Sequence, residues 1–379
     1  MPPTLREPCA YKALDATVPT QLDILALEPF YGGARRQMLE TCIRCSRHRW
    51  TLLKLPPRRI ERRLTAAAIW FAEQLSRHWA GRMDLLFTSE ALNLADFYRL
   101  MPQFSRKPSV VYFHSNQLPD VRTFEDSPLD MVNLNTAQSA TEIWFNSLFH
   151  LRQFLNRATA LVRRHEELRG RNPMNELTAK TQLMLPPVDF SAVHELSLGD
   201  TIIRNKRKIF VETRDANMKL LNAALAVLVR RKEKFELVTV GPVEELDESH
   251  ARTTLPENDE KAHVHALMQC GVFISTRVDA PSDGHAVRAL AAGCWPIVPD
   301  AGVYPELIPE LLHSSCLYDG SASVLASRLQ DVWHLAPPDG YDQALNEILH
   351  RFDPVSACNA IDQRVEELAA GKPAGTGMR

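Results

Sequence analysis

The sequence lacks most of the features that would place it at a glance. No apolar run approaches the roughly 20 residues that a membrane-crossing helix needs. Residues 1–20 carry Lys, Arg, Asp and Glu where a secretory leader has an apolar middle. They read as a loose tail, and the chain reads as cytoplasmic. Charge of one sign is missing too: 44 Lys and Arg stand against 46 Asp and Glu, a net charge of −2, so the chain as a whole calls for no polyanionic partner. The seven cysteines are scattered, which fits reduced thiols and not a disulfide frame. Cys42 and Cys45 with His48 hint at zinc, but no second paired set exists and the trio falls in a predicted helix, so structural thiols are the plainer reading. There is no G-x-G-x-x-G, which argues against a dinucleotide.

What is present is an ordinary globular composition, 45% hydrophobic and 24% charged, over 379 residues. That is enough chain for two domains with full cores. The organising stretch is residues 22–37. Leu22, Ile24, Leu25, Ala26 and Leu27 form a short apolar run that suits a buried parallel strand. Pro29, Gly32 and Gly33 break it, and helix formers begin at Ala34. A strand, a glycine turn and a helix start make the first unit of a nucleotide-type α/β domain, with the ligand edge at the strand's carboxyl end. A plain βα turn fits the same residues.

The alternation continues. Strands are predicted at 50–55, 84–88, 109–113 and 142–145, and helices at 60–79, near 92–100 and from 147 onward. Residues 157–172 read as a surface excursion or a solvated helix extension, Pro186-Pro187 as a boundary, and 188–205 as an irregular linker. The pattern then restarts, with strands at 208–211, 235–240, 272–276, 296–299 and 315–318. Helices are predicted at 217–231, 263–269, 285–292, 321–335 and 355–368, and residues 244–260 read as an acidic loop. The expected architecture is therefore α/β, two Rossmann-like parallel-sheet domains at 21–187 and 188–353. A closing helix follows at 354–370, with a disordered tail at 371–379. Two such halves place a cleft between their sets of strand ends, the usual ligand position.

Three constellations could carry chemistry. Arg214 and Lys219 flank the start of the helix at 217–231, with Asp215 or Asn217 as its cap. Two cations beside free helical amides suit a diphosphate; two surface cations are the alternative. His114 leaves a buried strand at its carboxyl end, where it either meets substrate or bonds loop backbone. The turn at 279–284, with Ser282 or Asp283 capping the following helix, either presents amides to a phosphate or is an ordinary loop. Residues 35–63 also carry ten Arg and Lys against Glu40 and Glu61, a patch able to meet phosphates or simply a solvated face.

Several short stretches, in order and at consistent intervals, resemble one family. They are Leu25-Ala-Leu-Glu-Pro-Phe-Tyr-Gly-Gly33, Ser46-Arg-His-Arg-Trp-Thr-Leu-Leu-Lys-Leu-Pro56, Ser89-Glu-Ala-Leu-Asn-Leu-Ala95, Val111-Tyr-Phe-His-Ser-Asn-Gln117 and Trp144-Phe-Asn-Ser147. In the second half they are Arg214 and Lys219 at R-x-x-x-x-K spacing, Ile274-Ser-Thr276, Gly293-Cys-Trp-Pro296 and Val303-Tyr-Pro-Glu306. Over residues 21–335 the chain resembles the tRNA-queuosine alpha-mannosyltransferases, glycosyltransferase-like domain-containing proteins of the retaining, family 4 type.

The resemblance implies a GT-B fold, GDP-mannose as co-substrate held by the second domain, queuosine in a tRNA anticodon as acceptor, and neither a metal nor another cofactor. His114, Arg214 and Lys219 are the implied catalytic residues. Arg214, Lys219, Ser282, Asp283, Gly284 and Arg288 are implied on the donor side. Gly32, Gly33, Arg35, Asn116 and Gln117 are implied on the acceptor side, with Arg58, Arg59, Arg62 and Arg63 on tRNA phosphates. The chain departs from the family at four places. Ala34-Arg35 replaces Ser-His, Ser115 replaces a glutamate, and Ala280 and Arg288 replace a pair of glutamates eight positions apart. An arginine accepts no hydrogen bond from a ribose hydroxyl. Asp279 or Asp283 is the candidate substitute for the first of those carboxylates. Two rivals to an active mannosyltransferase follow: a catalytically impaired tRNA-binding relative, and a glycosyltransferase with another donor and a non-RNA acceptor. The sequence leaves the oligomeric state open.

Overall fold

The computed structural model describes residues 21–121, 129–168, 173–198, 202–213, 215–240, 243, 252–256 and 259–372. The expected tail at 1–20 lies outside them, as does that at 371–379 beyond its first two residues, and so does Arg214. The described residues fold as two units, 188–353 and 21–187 together with 354–372.

In the first unit, strands β1 (Asp23–Glu28), β2 (Arg49–Lys54), β3 (Leu85–Ser89), β4 (Ser109–Phe113), β5 (Glu142–Phe145) and β6 (Thr181–Leu183) form one parallel sheet in the order β2-β1-β3-β4-β5-β6. Between them run helices α1 (Gly33–Cys45), α2 (Ile60–His78), α3 (Leu94–Leu100), α4 (Asp130–Ser139), α5 (Leu148–Arg164) and α6 (Met174–Ala179). Strand β1 shows why the sheet is covered on both faces. Leu25 and Leu27 join a core with Phe71 of α2 and Phe154 of α5. Ile24 and Ala26 point the other way, into a core with Met38 and Cys42 of α1. A period of two with apolar residues on both faces gives the continuous apolar run of a buried parallel strand. The last helix of the chain, Pro354–Ala369, closes the second face with Cys358, Ile361 and Val365.

The second unit opens with α7 (Ser191–Leu198) and β7 (Asn205–Val211), so 188–205 is not the irregular linker expected of it. It continues through α8 (Met218–Arg230), β8 (Glu236–Val240), β9 (Arg252–Leu255), α9 (Glu260–Gln269), β10 (Cys270–Ile274) and α10 (Gly284–Ala291). It ends with β11 (Trp295–Pro299), α11 (Tyr304–Leu307), α12 (His313–Cys316), β12 (Leu317–Tyr318), α13 (Ala322–His334) and α14 (Tyr341–Phe352). The closing helix named above is α15. Its sheet runs β12-β11-β10-β7-β8-β9, again parallel. Ile209, Val211, Val272 and Ile274 of the two central strands pack under Leu221, Leu225 and Leu228 of α8. Each fully buried side chain of this size contributes about 1.5–3 kcal/mol. Strand β9 corrects the acidic-loop reading of 244–260 in part.

Both sheets have a place where successive strands part to opposite sides. In the first the chain leaves β1 for β2 on one side and β3 on the other; in the second, β7 is flanked by β8 and β10. The carboxyl ends at such a switch point form the crevice where α/β sheets bind ligands.

Candidate functional site

At the first crevice the structure assembles a buried polar cluster from three strand ends, those of β1, β3 and β4, and the start of α1. Gly32 caps α1 without a side chain, and its position leaves room for nothing larger: a Cβ there would lie 2.6 Å from Pro57 Cγ. Gly33 has φ +53°, the left-handed region that glycine enters freely. This turn sends Arg35 back over the sheet. Its guanidinium pairs with Glu90, just beyond β3, and donates to Ser115 Oγ at 3.2 Å. Glu90 is 1% exposed and acts as the hub. Its carboxylate accepts from the N–H of His114 (3.2 Å), the N–H of Ser115 (3.1 Å) and Ser115 Oγ (3.0 Å). Arg35 and Ser115, two positions at which the sequence departs from the family it resembles, thus bond to each other and share one carboxylate.

Glu28, the last residue of β1, completes the cluster. It accepts from Phe30 N–H at 2.7 Å and Ser89 Oγ at 3.0 Å. Burial pushes its carboxyl up to about 7, against the pull of the Arg35 charge. For Arg35 the balance runs the other way: burial opposes its charge, yet Glu90 and Glu28 raise its pKa. His114 is held well below the usual imidazole range by burial first, then by the Arg35 charge, so it is neutral. Its ring rests on Tyr112 with centroids 4.7 Å apart. A neutral imidazole beside an arginine–carboxylate pair makes a site that hydrogen-bonds hydroxyl groups and carries little net charge.

Because the native state holds the Glu28 proton more tightly than the unfolded chain does, this group stabilises the fold below about pH 4.5. That contribution is lost as the pH rises to about 7. Glu28→Gln keeps the shape and never ionises. Its denaturation free energy is therefore expected to match wild type near pH 5 and to exceed it at pH 8, by up to about 3 kcal/mol. Equal gaps at the two pH values would contradict the assignment.

The other expected acceptor-side residues fall close by in the chain. Asn116 donates to Gln153 Oε1 at 3.0 Å, and the Gln117 N–H donates to Asn133 Oδ1 at 2.6 Å. Asn133 in turn donates to the main-chain oxygen of Glu90 at 3.0 Å. Arg58, Arg59 and Arg62 are exposed, whereas Arg63 is half-buried and spends its guanidinium on the Pro56 carbonyl at 2.9 Å. Three arginines of that run therefore face solvent. Among the described residues no group of three His, Cys, Asp or Glu side chains could hold a metal ion, and this includes Cys42, Cys45 and His48.

At the second crevice Asn217 is the cap of α8, accepting from Leu220 N–H at 3.1 Å. Lys219 is exposed in the helix's first turn. Asp283 caps α10: Oδ1 accepts from the N–H groups of His285 (3.0 Å) and Ala286 (2.9 Å), and Oδ2 accepts from Tyr304 O–H at 2.7 Å. With both oxygens so used, Asp283 shapes the loop. Ser282 is half-buried, and a Cβ built on Gly284 would meet nothing within 4 Å, so open space lies over the helix start. Two contacts tie this loop to the turn after β7. His285 Nδ1 lies 3.7 Å from Glu212 Oε2, and Arg277 lies 4.0 Å from Asp215. Arg288 is buried and pairs with Glu260 at 2.9 Å, and burial lowers its pKa. Sequence reasoning passed over Glu28, Glu90, Glu212 and His285. The available signal was an acid directly after an apolar strand run, at 28, 90 and 212.

Residues 23–188 match the family described as tRNA-queuosine alpha-mannosyltransferase N-terminal. A tRNA-queuosine alpha-mannosyltransferase of Drosophila melanogaster is 28% identical over 311 residues, 76% of this chain and 82% of the relative. Among solved structures, a UDP-forming alpha,alpha-trehalose-phosphate synthase from Burkholderia xenovorans in complex with glucose-6-phosphate superposes with a TM-score of 0.68 at 10% identity, covering 91% of this chain and all of that one. The Anabaena protein HepE in complex with UDP and glucose gives 0.58 at 15% identity, covering 92% and 100%. A glycosyltransferase from Rickettsia africae gives 0.58 at 11%, covering 92% and 99%. At these identities the likeness is one of fold, the GT-B type expected from the sequence.

Proposed function

We propose that this chain, whose residues 23–188 match the family described as tRNA-queuosine alpha-mannosyltransferase N-terminal, transfers mannose from GDP-mannose to the queuosine of a tRNA, with retention. The observation that carries the reading is the Arg35–Glu90–Ser115–His114 cluster, which lies inside the family-matched region. A neutral, hydrogen-bonding crevice suits a ring bearing hydroxyl groups. His114 and the Asn116-Gln117 segment orient the accepting hydroxyl. Its oxygen forms the new bond to the anomeric carbon as the bond to the GDP oxygen breaks, and the hydroxyl proton leaves with the diphosphate. Lys219 and Arg214 neutralise the charge that develops on that leaving group. Arg58, Arg59 and Arg62 contribute phosphate contacts.

A second reading, a different nucleotide sugar, is favoured by one observation. Arg288, at a position where the family carries a glutamate, is committed to Glu260 and offers no carboxylate to a donor. A thermal-shift panel of nucleotide sugars separates the two, since a ligand stabilises the state that binds it. GDP-mannose is expected to raise the melting temperature most; a larger shift with another sugar nucleotide moves the assignment to that donor. For the acceptor, the triple variant at Arg58, Arg59 and Arg62 to alanine is expected to lower the slope of log affinity for tRNA against log salt by roughly 2–3. An unchanged slope would remove these residues from the RNA interface.

A further inference from the structure

We propose that Asn146 and His150 form a positioning pair that presents His114, an inference that rests on the role given to His114 above. His114 is the first residue beyond β4, and both of its main-chain polar groups are fixed. Its N–H donates to Glu90, and its carbonyl accepts from Asn146 Nδ2 at 3.0 Å. Asn146 is the first residue beyond β5. A side-chain amide can rotate end for end, so that one bond alone would not hold it. His150, in the first turn of α5, holds the other end: with Nδ2 given to the His114 carbonyl, Asn146 Oδ1 faces His150 Nδ1 at 2.9 Å, so Nδ1 carries the proton and donates. Rotation of the amide would set its carbonyl against that of His114 and its N–H2 against His150 Nδ1–H unless the imidazole also moved its proton to Nε2.

The bond also fixes the tautomer of His150, with the proton on Nδ1 and a bare acceptor at Nε2. That Nε2 is buried and has no partner among the described residues, and the whole residue is 0% exposed. An unmet buried acceptor is costly. The ring sits edge-on to Phe145, with centroids 5.2 Å apart and planes at 90°, so a phenyl ring fits the same place without that cost. Packing alone therefore does not account for a histidine here; the Nδ1 donor does. Burial and the Arg157 and Arg35 charges also push the imidazole down to about 3, which keeps this donor–acceptor pattern fixed across the working pH range.

The test compares four variants of the full chain. His150→Asn places an amide N–H2 where Nδ1–H was, whereas His150→Gln reaches the Nε2 position instead. His150→Phe keeps the ring, and Asn146→Asp turns an oxygen toward the His114 carbonyl. The readouts are kcat, the KM of donor and acceptor, and the imidazole NMR resonances of His114. The Gln, Phe and Asp variants are expected to lower kcat by about tenfold or more with donor KM unchanged, as displacement of a reacting group does. They should also shift the His114 resonances. His150→Asn should restore both to near wild type. The pair is refuted if the Phe and Asp variants leave kcat and the His114 resonances unmoved, or if His150→Asn is as impaired as His150→Phe. Where wild type transfers no sugar to queuosine tRNA, the parent reading fails, and the resonances of His114 still decide this one.

Discussion

Glu90→Ala is expected to cost about 3–5 kcal/mol of stability, the range for removing one partner of a buried ion pair. The side chains of Arg35 and Glu90 are 13% and 1% exposed, so the guanidinium left behind has little access to water. The same change removes the acceptor for the N–H groups of His114 and Ser115 and for Ser115 Oγ. Glu28 sets where in the range the result falls. Its carboxyl stands near 7 because of burial and, in smaller part, repulsion by Glu90. Without Glu90 it ionises more readily beside Arg35 and recovers part of the loss. Glu90→Gln separates charge from shape: it retains an oxygen acceptor but presents N–H groups to donors. Urea denaturation at pH 7 and the acceptor KM are the measurements. A Glu90→Ala protein as stable as wild type would mean that the cluster is not the buried ion pair the distances describe.

Lys219→Ala has the second large effect, and it falls on activity alone. Lys219 is exposed in the first turn of α8, where an ammonium lies against the positive end of the helix dipole. Removing it leaves the fold's stability within about 0.5 kcal/mol, as for most surface substitutions. If it meets the leaving diphosphate, its loss lowers transfer by about 100- to 1000-fold, as the loss of one preorganised charge stabiliser does. Single-turnover transfer rates beside a melting curve give both numbers. Transfer at the wild-type rate would take Lys219 out of the mechanism.

The strands that build the two crevices were legible because each is an apolar run without a polar break. Ile24–Leu27, Val110–Phe113 and Val272–Ile274 are buried on both faces, and no helical period fits them. Some of the elements that escaped have weak local signals; α14, whose Leu345, Ile348, Leu349 and Phe352 are buried at helical spacing, was overlooked despite a clear one. Strand β9 is an edge strand that exposes three of its four residues, and β6 has three residues, none buried. Helix α7 buries Val193 alone. The site divided in the same way. Arg35, His114 and Lys219 stand out because their residue types are unusual at strand ends and helix starts. Glu90 does not, because nothing within its own stretch tells that its carboxylate is buried under an arginine 55 positions earlier. Arg288 also depends on tertiary context: its partner Glu260 begins a different helix.

The most direct test of the whole account is to incubate the full chain with GDP-mannose and a queuosine-containing tRNA, then digest the tRNA and weigh its nucleosides. Queuosine heavier by one hexose residue, formed in the presence of GDP-mannose and absent when GDP-mannose is omitted, is the expected result. Queuosine recovered at its original mass, from tRNA that the protein binds, would contradict it.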